Sequence, residues 1–294
     1  VEIDGNYSYR IRGRAADSRH WRGEPAAEGK TAPQYVIFEL ASGHAGDSGK
    51  LSEMKPGTRI NTGTLDSATL QVADDGSFEI LIAPEKPAGY SGNFIASKRT
   101  SRDVEHVGKF LTCRELFHDW ENQDLLDLEI LRIGCENEPR PPIDPEGAMQ
   151  MLRDVGRVAR NQVHFWNAFN TITLETYGQV PGGISERMGL DKPFMPVNDM
   201  NPPNALGLAT GGGQSSNIYA GGTFLLEEDE ALVIATRTPV EPHFLGFHLA
   251  NLWGESLDFE SYPSNTNAHF VEADPDGLRR WVVCHRDPGI ANWV

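Results

Sequence analysis

Residues 61–94 read NTGTLDSATLQVADDGSFEILIAPEKPAGYSGNF, and residues 265–293 read NTNAHFVEADPDGLRRWVVCHRDPGIANW. The two stretches align when Asp75-Gly76 is placed on Asp276-Gly277, an offset of 201 residues. Apolar positions then coincide on both sides of the Asp-Gly turn. Alternating apolar runs that flank such a turn predict a β-hairpin. The alignment therefore predicts that the chain contains one β unit twice.

The likeness between the copies extends upstream of these two stretches. YVIFEL at residues 35–40 resembles FLGFHL at residues 244–249, and VEIDGNYSYRIRGRA resembles GTFLLEEDEALVIATR. The copies differ at four chemically informative positions. The first copy has Glu39, Ala68, Pro84 and Glu85 where the second has His248, His269, His285 and Arg286. Because three histidines are gained in the second copy, we expect a functional site there.

Short alternating runs with glycine and proline turns indicate a mainly β fold. One amphipathic helix is predicted over about residues 145–171, with Asp144 as N-cap and Pro145 in the first turn. Its apolar side chains recur at helical spacing and are expected to pack on a sheet; they are Leu152, Val155, Ala159, Val163, Trp166 and Phe169. The predicted architecture is two related β-sandwich or jelly-roll units, with the helix and a long loop region between them.

These patterns divide the chain into four segments. Residues 1–134 form the first β unit, and residues 135–175 form a proline-rich linker followed by the helix. Residues 176–222 form a loop-rich insertion, which is typical of a lid or an oligomer arm. Residues 223–294 form the second β unit, which carries the candidate site.

Composition excludes several classes of function. The net charge of −16 and the pI of about 4.9 repel phosphate backbones, so nucleic acid is not an expected partner. The three cysteines give no disulfide framework. No apolar stretch approaches the ~20 residues of a membrane span. A cytoplasmic location is favoured; a periplasmic or secreted one stays open, because Val1 lies inside the first predicted strand pair and a leader can have been trimmed.

The second copy resembles a known family, domain of unknown function 1214, often found with its companion 1254. The resemblance rests on FHLANLWGESLDF (247–259), SNTNAHFVEADPDG (264–277) and VVCHRDPGIANW (282–293). A weaker echo covers residues 87–133. The resemblance implies β-sandwich or jelly-roll domains and a homo-oligomer, and it implies no particular reaction.

Nine residues of the second copy form the candidate site. The strand pattern predicts that His248 lies in a strand, that His269 begins the next strand and that His285 ends the one after it. The predicted catalytic residues are His269, His285, Glu255 and His248. The predicted substrate-binding residues are Arg286, Asn267, Asn251, Trp253 and Trp293. Histidine titrates near neutral pH and a neighbouring carboxylate sets its basicity, which suits acid–base catalysis. Arginine and asparagine would stabilise a developing anion, and tryptophan would wall a partly apolar ligand.

The same residues have a structural interpretation. His-Arg-Asp-Pro-Gly (285–289) is compatible with a simple turn closed by Asp287. Metal is possible but not favoured: histidines with Glu255 would suit zinc or iron, but no HxH or HExxH spacing occurs in this stretch. No nucleotide cofactor is expected, because Gly211-Gly212-Gly213 lacks the Lys-Ser/Thr of a phosphate loop and does not fit GxGxxG.

A second, weaker group is formed by His106, Glu115, His118 and Asp119 in the first copy. Its position after a predicted strand is typical either of a pocket rim or of a solvated strand end.

Two hypotheses of function follow from the sequence. The first is an enzyme, a hydrolase, lyase or isomerase, that acts on a small, partly apolar metabolite by histidine and carboxylate acid–base chemistry. The second is a non-catalytic, oligomeric jelly-roll protein that binds a ligand or a glycan. Histidines that converge in a pocket would favour the enzyme, and histidines scattered over the surface would favour the binding protein.

Overall fold

The described residues are mainly β with one α-helix, as the sequence predicts. The computed structural model describes residues 1–26, 29–55, 57–136, 138–139, 142–175, 196–203, 216–251 and 253–294, with side chains of the helix described as far as residue 171. Most of the predicted insertion, including Gly211–Gly213, lies outside the described residues.

Thirteen strands and one α-helix are described. In chain order they are β1 Tyr9–Arg14, β2 Tyr35–Ala41, β3 Asn61–Asp66, β4 Ser77–Ala83, β5 Asn93–Ala96, β6 Lys98–Ser101, β7 Val104–Val107, β8 Phe110–Leu116, β9 Asp127–Arg132, α1 Pro145–Glu175, β10 Ala231–Thr236, β11 Gly246–His248, β12 Asn265–Asn267 and β13 Arg279–Cys284. Two 3₁₀ turns lie at Arg19–Arg22 and Leu51–Met54.

The chain forms two compact units. Unit 1 comprises Val1–Asp47 and Ser52–Ala159, and unit 2 comprises Ser48–Leu51 and Arg160–Val294. Unit 1 contains a four-stranded sheet in the order β5-β4-β1-β9, a three-stranded sheet in the order β3-β2-β8, and the hairpin β6-β7. Unit 2 contains the pairs β10-β13 and β11-β12.

The core of unit 1 lies between its two larger sheets. Ile11, Ile80 and Ile82 contribute from the four-stranded sheet, and Val36 and Leu40 contribute from the three-stranded one. Alternation along a strand places every second side chain on the same face, which is why i and i+2 positions share this core. The two sheets therefore form a β-sandwich.

Unit 2 has a smaller core built in the same way. The ring of Phe247 on β11 stacks on that of Trp281 on β13, with 5.6 Å between their centroids. Val271 and Val294 are buried beside them. Burial of these two aromatic rings stabilises the two-stranded sheets of unit 2, which backbone pairing alone would not hold.

The Asp-Gly turns of the two units share the same hydrogen bonds. Gly76 and Gly277 have φ of 81° and 78°. The Asp75 carboxylate accepts from the backbone N–H of Ser77 at 3.0 Å, and the Asp276 carboxylate accepts from that of Leu278 at 3.0 Å. An arginine near the facing strand closes each turn: Arg14 donates to the Asp75 carbonyl and Arg237 donates to the Asp276 carbonyl, at 3.2 and 2.7 Å.

The second hairpin of each unit also has a matching register. Phe38 of β2 faces Leu65 of β3, and Phe247 of β11 faces Thr266 of β12. Thr266 follows Leu65 by 201 residues, the offset that aligns the sequences. The Asn93 side chain donates to the carbonyl of Glu79, and the Asn292 side chain donates to that of Arg280. The two accepting residues, Glu79 and Arg280, are again 201 residues apart.

Helix α1 begins as predicted, but its packing differs from the prediction. The Asp144 carboxylate accepts from the backbone N–H of Gly147 at 2.6 Å, which confirms the N-cap. The expectation that the apolar face packs on a sheet is wrong for the first part of the helix, where Leu152, Val155 and Val163 are exposed. Phe165 is fully buried, so the aromatic end carries the packing.

Helical periodicity shows which side chains share a face, but it does not show whether a partner covers that face. This is why the sequence predicted the helix correctly and the burial of its apolar residues wrongly: Phe165, the fully buried residue, was not among them. Among the helices that the structure describes, none has the length and apolar character to cross a bilayer.

We expect Gly76→Ala to destabilise unit 1 by about 2–3 kcal/mol. The positive φ alone costs about 1 kcal/mol, and a Cβ here would lie 2.3 Å from the carbonyl oxygen of Ala15. Gly89→Ala is the matched control, because Gly89 has φ of 76° and a Cβ there would meet no atom within 4 Å. Urea unfolding should show a loss of about 1 kcal/mol in the free energy of unfolding for the control. Equal losses in the two variants would contradict the close approach of Gly76 to Ala15.

Candidate functional site

His248 is the last residue of β11 and lies on its solvent side. The neighbouring Phe247 points into the core of unit 2, so alternation directs His248 to the opposite face, where it is exposed. Its partner across the hairpin is Asn265. The sequence correctly placed His248 in a strand.

Asn251, Trp253 and Glu255 are brought together in one turn after β11. The Asn251 side-chain amide donates to the Glu255 carboxylate at 2.7 Å, and its oxygen accepts from the backbone N–H groups of Trp253 and Glu255 at 2.9 and 3.0 Å. Asn251 and Glu255 thus close the turn, and the turn presents the Trp253 side chain to solvent. Asn251, predicted to bind substrate, and Glu255, predicted to be catalytic, therefore stabilise this turn.

Asn267 and His269 also lie together, at the end of β12. The buried Asn267 side chain accepts from the backbone N–H of His269 at 2.8 Å. His269 was predicted to begin a strand; it lies instead in the turn that follows β12, and its ring meets Phe270 edge-on at 5.0 Å. The Asx-type bond from Asn267 favours a turn over strand continuation, which explains the difference.

The residues after β13 are held by backbone atoms of unit 2. His285 Nε2 lies 3.0 Å from the carbonyl oxygen of Leu226, so this nitrogen carries the proton. Trp293 donates from its indole N–H to the carbonyl of Cys284 at 3.0 Å. Arg286 pairs with Glu228 at 3.6 Å, but both side chains are almost fully exposed, and such pairs contribute little.

The three histidines therefore occupy three different places on unit 2: the end of β11, the turn after β12 and the end of β13. All three are exposed. Within the described ranges, neither His248 nor His285 has a carboxylate within 4.0 Å, and no group of three or more His, Cys, Asp or Glu residues could hold a metal ion. A shared catalytic centre for these residues stays a prediction.

The weaker group of unit 1 is organised by backbone contacts. Glu115 accepts from the backbone N–H of Leu126 at 2.9 Å, and burial raises the pKa of its carboxyl. The Gln123 side chain accepts from the N–H groups of His118 and Asp119 at 2.7 and 3.2 Å. These bonds join the end of β8 to the segment before β9.

A buried carboxylate in unit 1 was not among the predicted site residues. Glu39 lies in β2, whose residues Tyr35–Leu40 are all buried, and only 3% of it is exposed. The Asn61 amide donates to one carboxylate oxygen at 3.0 Å, and Arg114 Nε lies 3.5 Å from the other. The signal in the sequence was a single charge within the apolar run YVIFELA, since buried charges persist only when they are paired.

The connection between β2 and β3 folds over this carboxylate. Arg59 donates to the carbonyl of Gly43 at 3.1 Å, and burial lowers the pKa of its guanidinium although Asp47, Glu53 and Glu39 oppose that effect. Asp47 accepts from the N–H of His44 at 2.7 Å. Glu53 accepts from the N–H of Gly46. Unit 1 thus has its own group of polar residues around Glu39, the residue that aligns with His248 in the sequence.

The comparisons with known proteins concern the fold. No family model matches the chain, and no curated protein matches it. The crystal structure of an uncharacterised protein from Burkholderia cenocepacia is similar, with a TM-score of 0.72 and 25% identity over 100% of this chain and 66% of that one. The VPA0106 protein from Vibrio parahaemolyticus has a TM-score of 0.42 and 12% identity, over 99% and 78% of the two chains. The chain thus spans 66% of the length of the Burkholderia protein.

We expect Arg114→Met to destabilise unit 1 by about 2–3 kcal/mol, because it leaves the Glu39 carboxylate buried with less compensation. The estimate is at the low end for a buried pair since about a third of the Arg114 side chain is exposed. Arg12→Met is the control: Arg12 and Glu129 are 4.0 Å apart and more than half exposed. Denaturant unfolding and amide exchange of β2 would measure both; a loss no larger than that of the control would contradict the pairing.

We expect the Cys113 thiol to resist alkylation in the folded protein. Burial, with a smaller contribution from the charge of Glu115, raises the pKa of Cys113 to about 12. At about pH 8 roughly one thiol in 10⁴ would be ionised, and the thiolate is the reactive form. Peptide mass spectrometry after iodoacetamide treatment should show Cys113 labelled only in denaturant. Rapid labelling of the folded protein at that pH would contradict its burial.

Proposed function

We propose that the protein is a non-catalytic β-sandwich protein that binds a small, partly apolar molecule on unit 2. The observation that carries this proposal is the exposure of four large aromatic side chains around the β11–β12 hairpin. Trp253, Phe259, Tyr262 and Phe270 are 55, 68, 65 and 60% exposed. Large exposed apolar surface often marks a place where a ligand or a partner binds.

The position of these side chains supports the proposal. Trp253, Phe259 and Tyr262 all lie in the connection between β11 and β12, and Phe270 lies in the turn after β12. Connections carried by a rigid sheet are favoured places for binding residues. Aromatic rings offer a large contact area at a low cost in side-chain entropy, which suits apolar and sugar-like ligands.

The polar residues of unit 2 would orient such a ligand. His248 and His269 flank the hairpin, and both are exposed. Acid–base catalysis requires a base within hydrogen-bond reach of its partner and a site that excludes water. Three exposed histidines, of which His285 bonds a backbone carbonyl, fit ligand orientation better. The enzyme hypothesis, with its hydrolase, lyase or isomerase variants, stays open to the experiment below.

Three further expectations remain proposals. We infer that the two units derive from one repeated unit, and the shared turn bonds and hairpin registers support this. A homo-oligomer is supported by the exposed apolar side chains of α1. The resemblance to the domain of unknown function 1214 family rests on the residues of unit 2 quoted above.

We expect the double variant Trp253→Ala/Phe259→Ala to lose ligand. Equilibrium dialysis against a metabolite extract and a glycan panel, read by mass spectrometry, would identify compounds retained by the wild type. The Kd of such a compound should rise at least ~tenfold in the variant, since the loss of two aromatic contacts removes about 1.4 kcal/mol or more. Trp120→Ala is the control, because Trp120 is 70% exposed but belongs to unit 1.

The outcomes separate the two hypotheses. Equal retention by wild type and double variant, or no retained compound at all, would contradict binding at the aromatic residues. A compound that the wild type converts, and that the His269→Ala/His285→Ala variant leaves intact, would establish the enzyme instead.

A further inference from the structure

Four arginines of unit 1 gather around the segment from Gly57 to Asn61. Arg59 belongs to the segment, and the other three reach it from β6, from the β6–β7 turn and from β8. We call Arg59, Arg99, Arg102 and Arg114 the arginine cluster. We infer that it binds a small molecule bearing a carboxylate or phosphate group, at a site separate from the aromatic residues of unit 2.

The β6–β7 hairpin places Arg102 by means of an unusual turn. Arg102 and Asp103 have φ of 51° and 61°, the left-handed pair that a two-residue hairpin turn demands and that Asn-Gly normally supplies. Backbone strain of this sort concentrates at functional sites. The choice of arginine at this turn therefore needs a reason beyond the turn itself.

Gly57 leaves the space in which the Arg102 side chain lies. A Cβ at Gly57 would lie 2.9 Å from Arg102 Cδ and 3.3 Å from its Nε, so the arginine crosses directly over the glycine. Gly57 also has φ of 88°. The absence of a side chain here allows Arg102 to lie against the loop two residues before Arg59.

Arg99 and Arg114 approach the other end of the segment. Arg99 Nη1 donates to the carbonyl of Asn61 at 3.4 Å, a long bond that leaves most of its donor capacity unused. The Asn61 amide and Arg114 both contact Glu39. The segment therefore connects the arginines. Arg102 lies against Gly57 and Arg99 bonds Asn61, whose side chain shares Glu39 with Arg114.

Of the four arginines in the cluster, only Arg114 forms an ion pair with a described carboxylate. Glu39 faces Arg114 at 3.5 Å, and Glu105 faces Lys98 at 3.7 Å. Asp47 and Glu53 accept from backbone N–H groups of the loop. In the part of the chain that the structure describes, no carboxylate forms an ion pair within 4.0 Å of Arg59, Arg99 or Arg102, although Asp103 adjoins Arg102 in sequence. Asp47, Glu53 and Glu39 act on Arg59 from farther away and partly offset its charge.

Among the described residues, three neighbouring guanidinium groups thus lack an ion pair, in a chain whose net charge is −16. Arg59 is also partly buried, and its lowered pKa reports the cost of removing that charge from water. A bound anion would offset this cost. Arg59 is half-buried, whereas Arg99 and Arg102 are exposed, so an anion could reach the cluster from solvent.

The geometry of guanidinium selects the class of ligand. Its planar fork matches the two oxygens of a carboxylate or a phosphate, and each such charge-assisted bond is roughly twice as strong as a neutral one. A nucleic acid is disfavoured because the net charge of the chain repels an extended phosphate backbone. A small carboxylate or phosphate metabolite fits the charge and the size of the cluster.

Isothermal titration calorimetry with inorganic phosphate and with succinate tests the inference, in buffer whose ionic strength is matched with chloride. We expect saturable binding of one or both probes with a Kd on the order of 1 mM. The probe that binds more tightly identifies the group, phosphate or carboxylate. Arg99→Gln/Arg102→Gln should weaken binding at least ~tenfold. Arg157→Gln is the control, since Arg157 pairs with Asp154 on helix α1 and should leave binding unchanged.

A second variant guards against loss of structure. Arg99→Lys/Arg102→Lys keeps both charges but loses the fork, and we expect a loss of at least ~threefold with an unchanged circular dichroism spectrum. No saturable binding of either probe by the wild type would overturn the inference. Binding that survives in both the glutamine and the lysine variants, or that falls equally in Arg157→Gln, would overturn it as well.

Discussion

The burial of a single carboxylate, Glu39, constrains much of unit 1. An ionised carboxylate beneath a sheet-covering loop is costly unless it is paired and hydrogen-bonded. Arg114 from β8 and Asn61 from β3 supply that pairing from the two strands that flank β2. The pairing therefore ties the three strands together on the face away from the core, while Phe38 packs on the core side. The loop that carries Arg59 then has a charged surface to fold upon.

The residue that aligns with Glu39 in the second hairpin has a different environment. His248 pairs with Asn265 and Glu39 pairs with Thr64, and these two partners are 201 residues apart, yet His248 is exposed. Water can solvate an exposed imidazole, whereas a buried carboxylate needs partners from the protein. The two hairpins thus carry different surfaces: a loop with charged residues in unit 1 and a loop with exposed aromatic residues in unit 2. This contrast supports assigning different ligand chemistry to the two units.

Local patterns in the sequence predicted the local structure well. The Asp-Gly turns, the strands around them and the Asp144 N-cap follow from backbone preferences of a few adjacent residues. Burial was harder, because it depends on neighbours distant in sequence. The stripe on α1 was visible but its exposure was not, and His269 lies in a turn because the Asn267 side chain bonds its N–H. Glu39 and the arginine cluster required strand pairing to be known.

Arginine placement, more than total charge, decides what this acidic protein can attract. At physiological ionic strength the Debye length is about 8 Å, so distant surface carboxylates are largely screened while charges in contact are not. An anion that reaches Arg99 and Arg102 would therefore respond chiefly to the nearby guanidinium groups and to Glu39, and only weakly to the net charge of −16. The long-range field would slow the approach of an anion, and the local contacts would set how long it stays. A weakly but specifically bound small anion is the ligand that this combination favours.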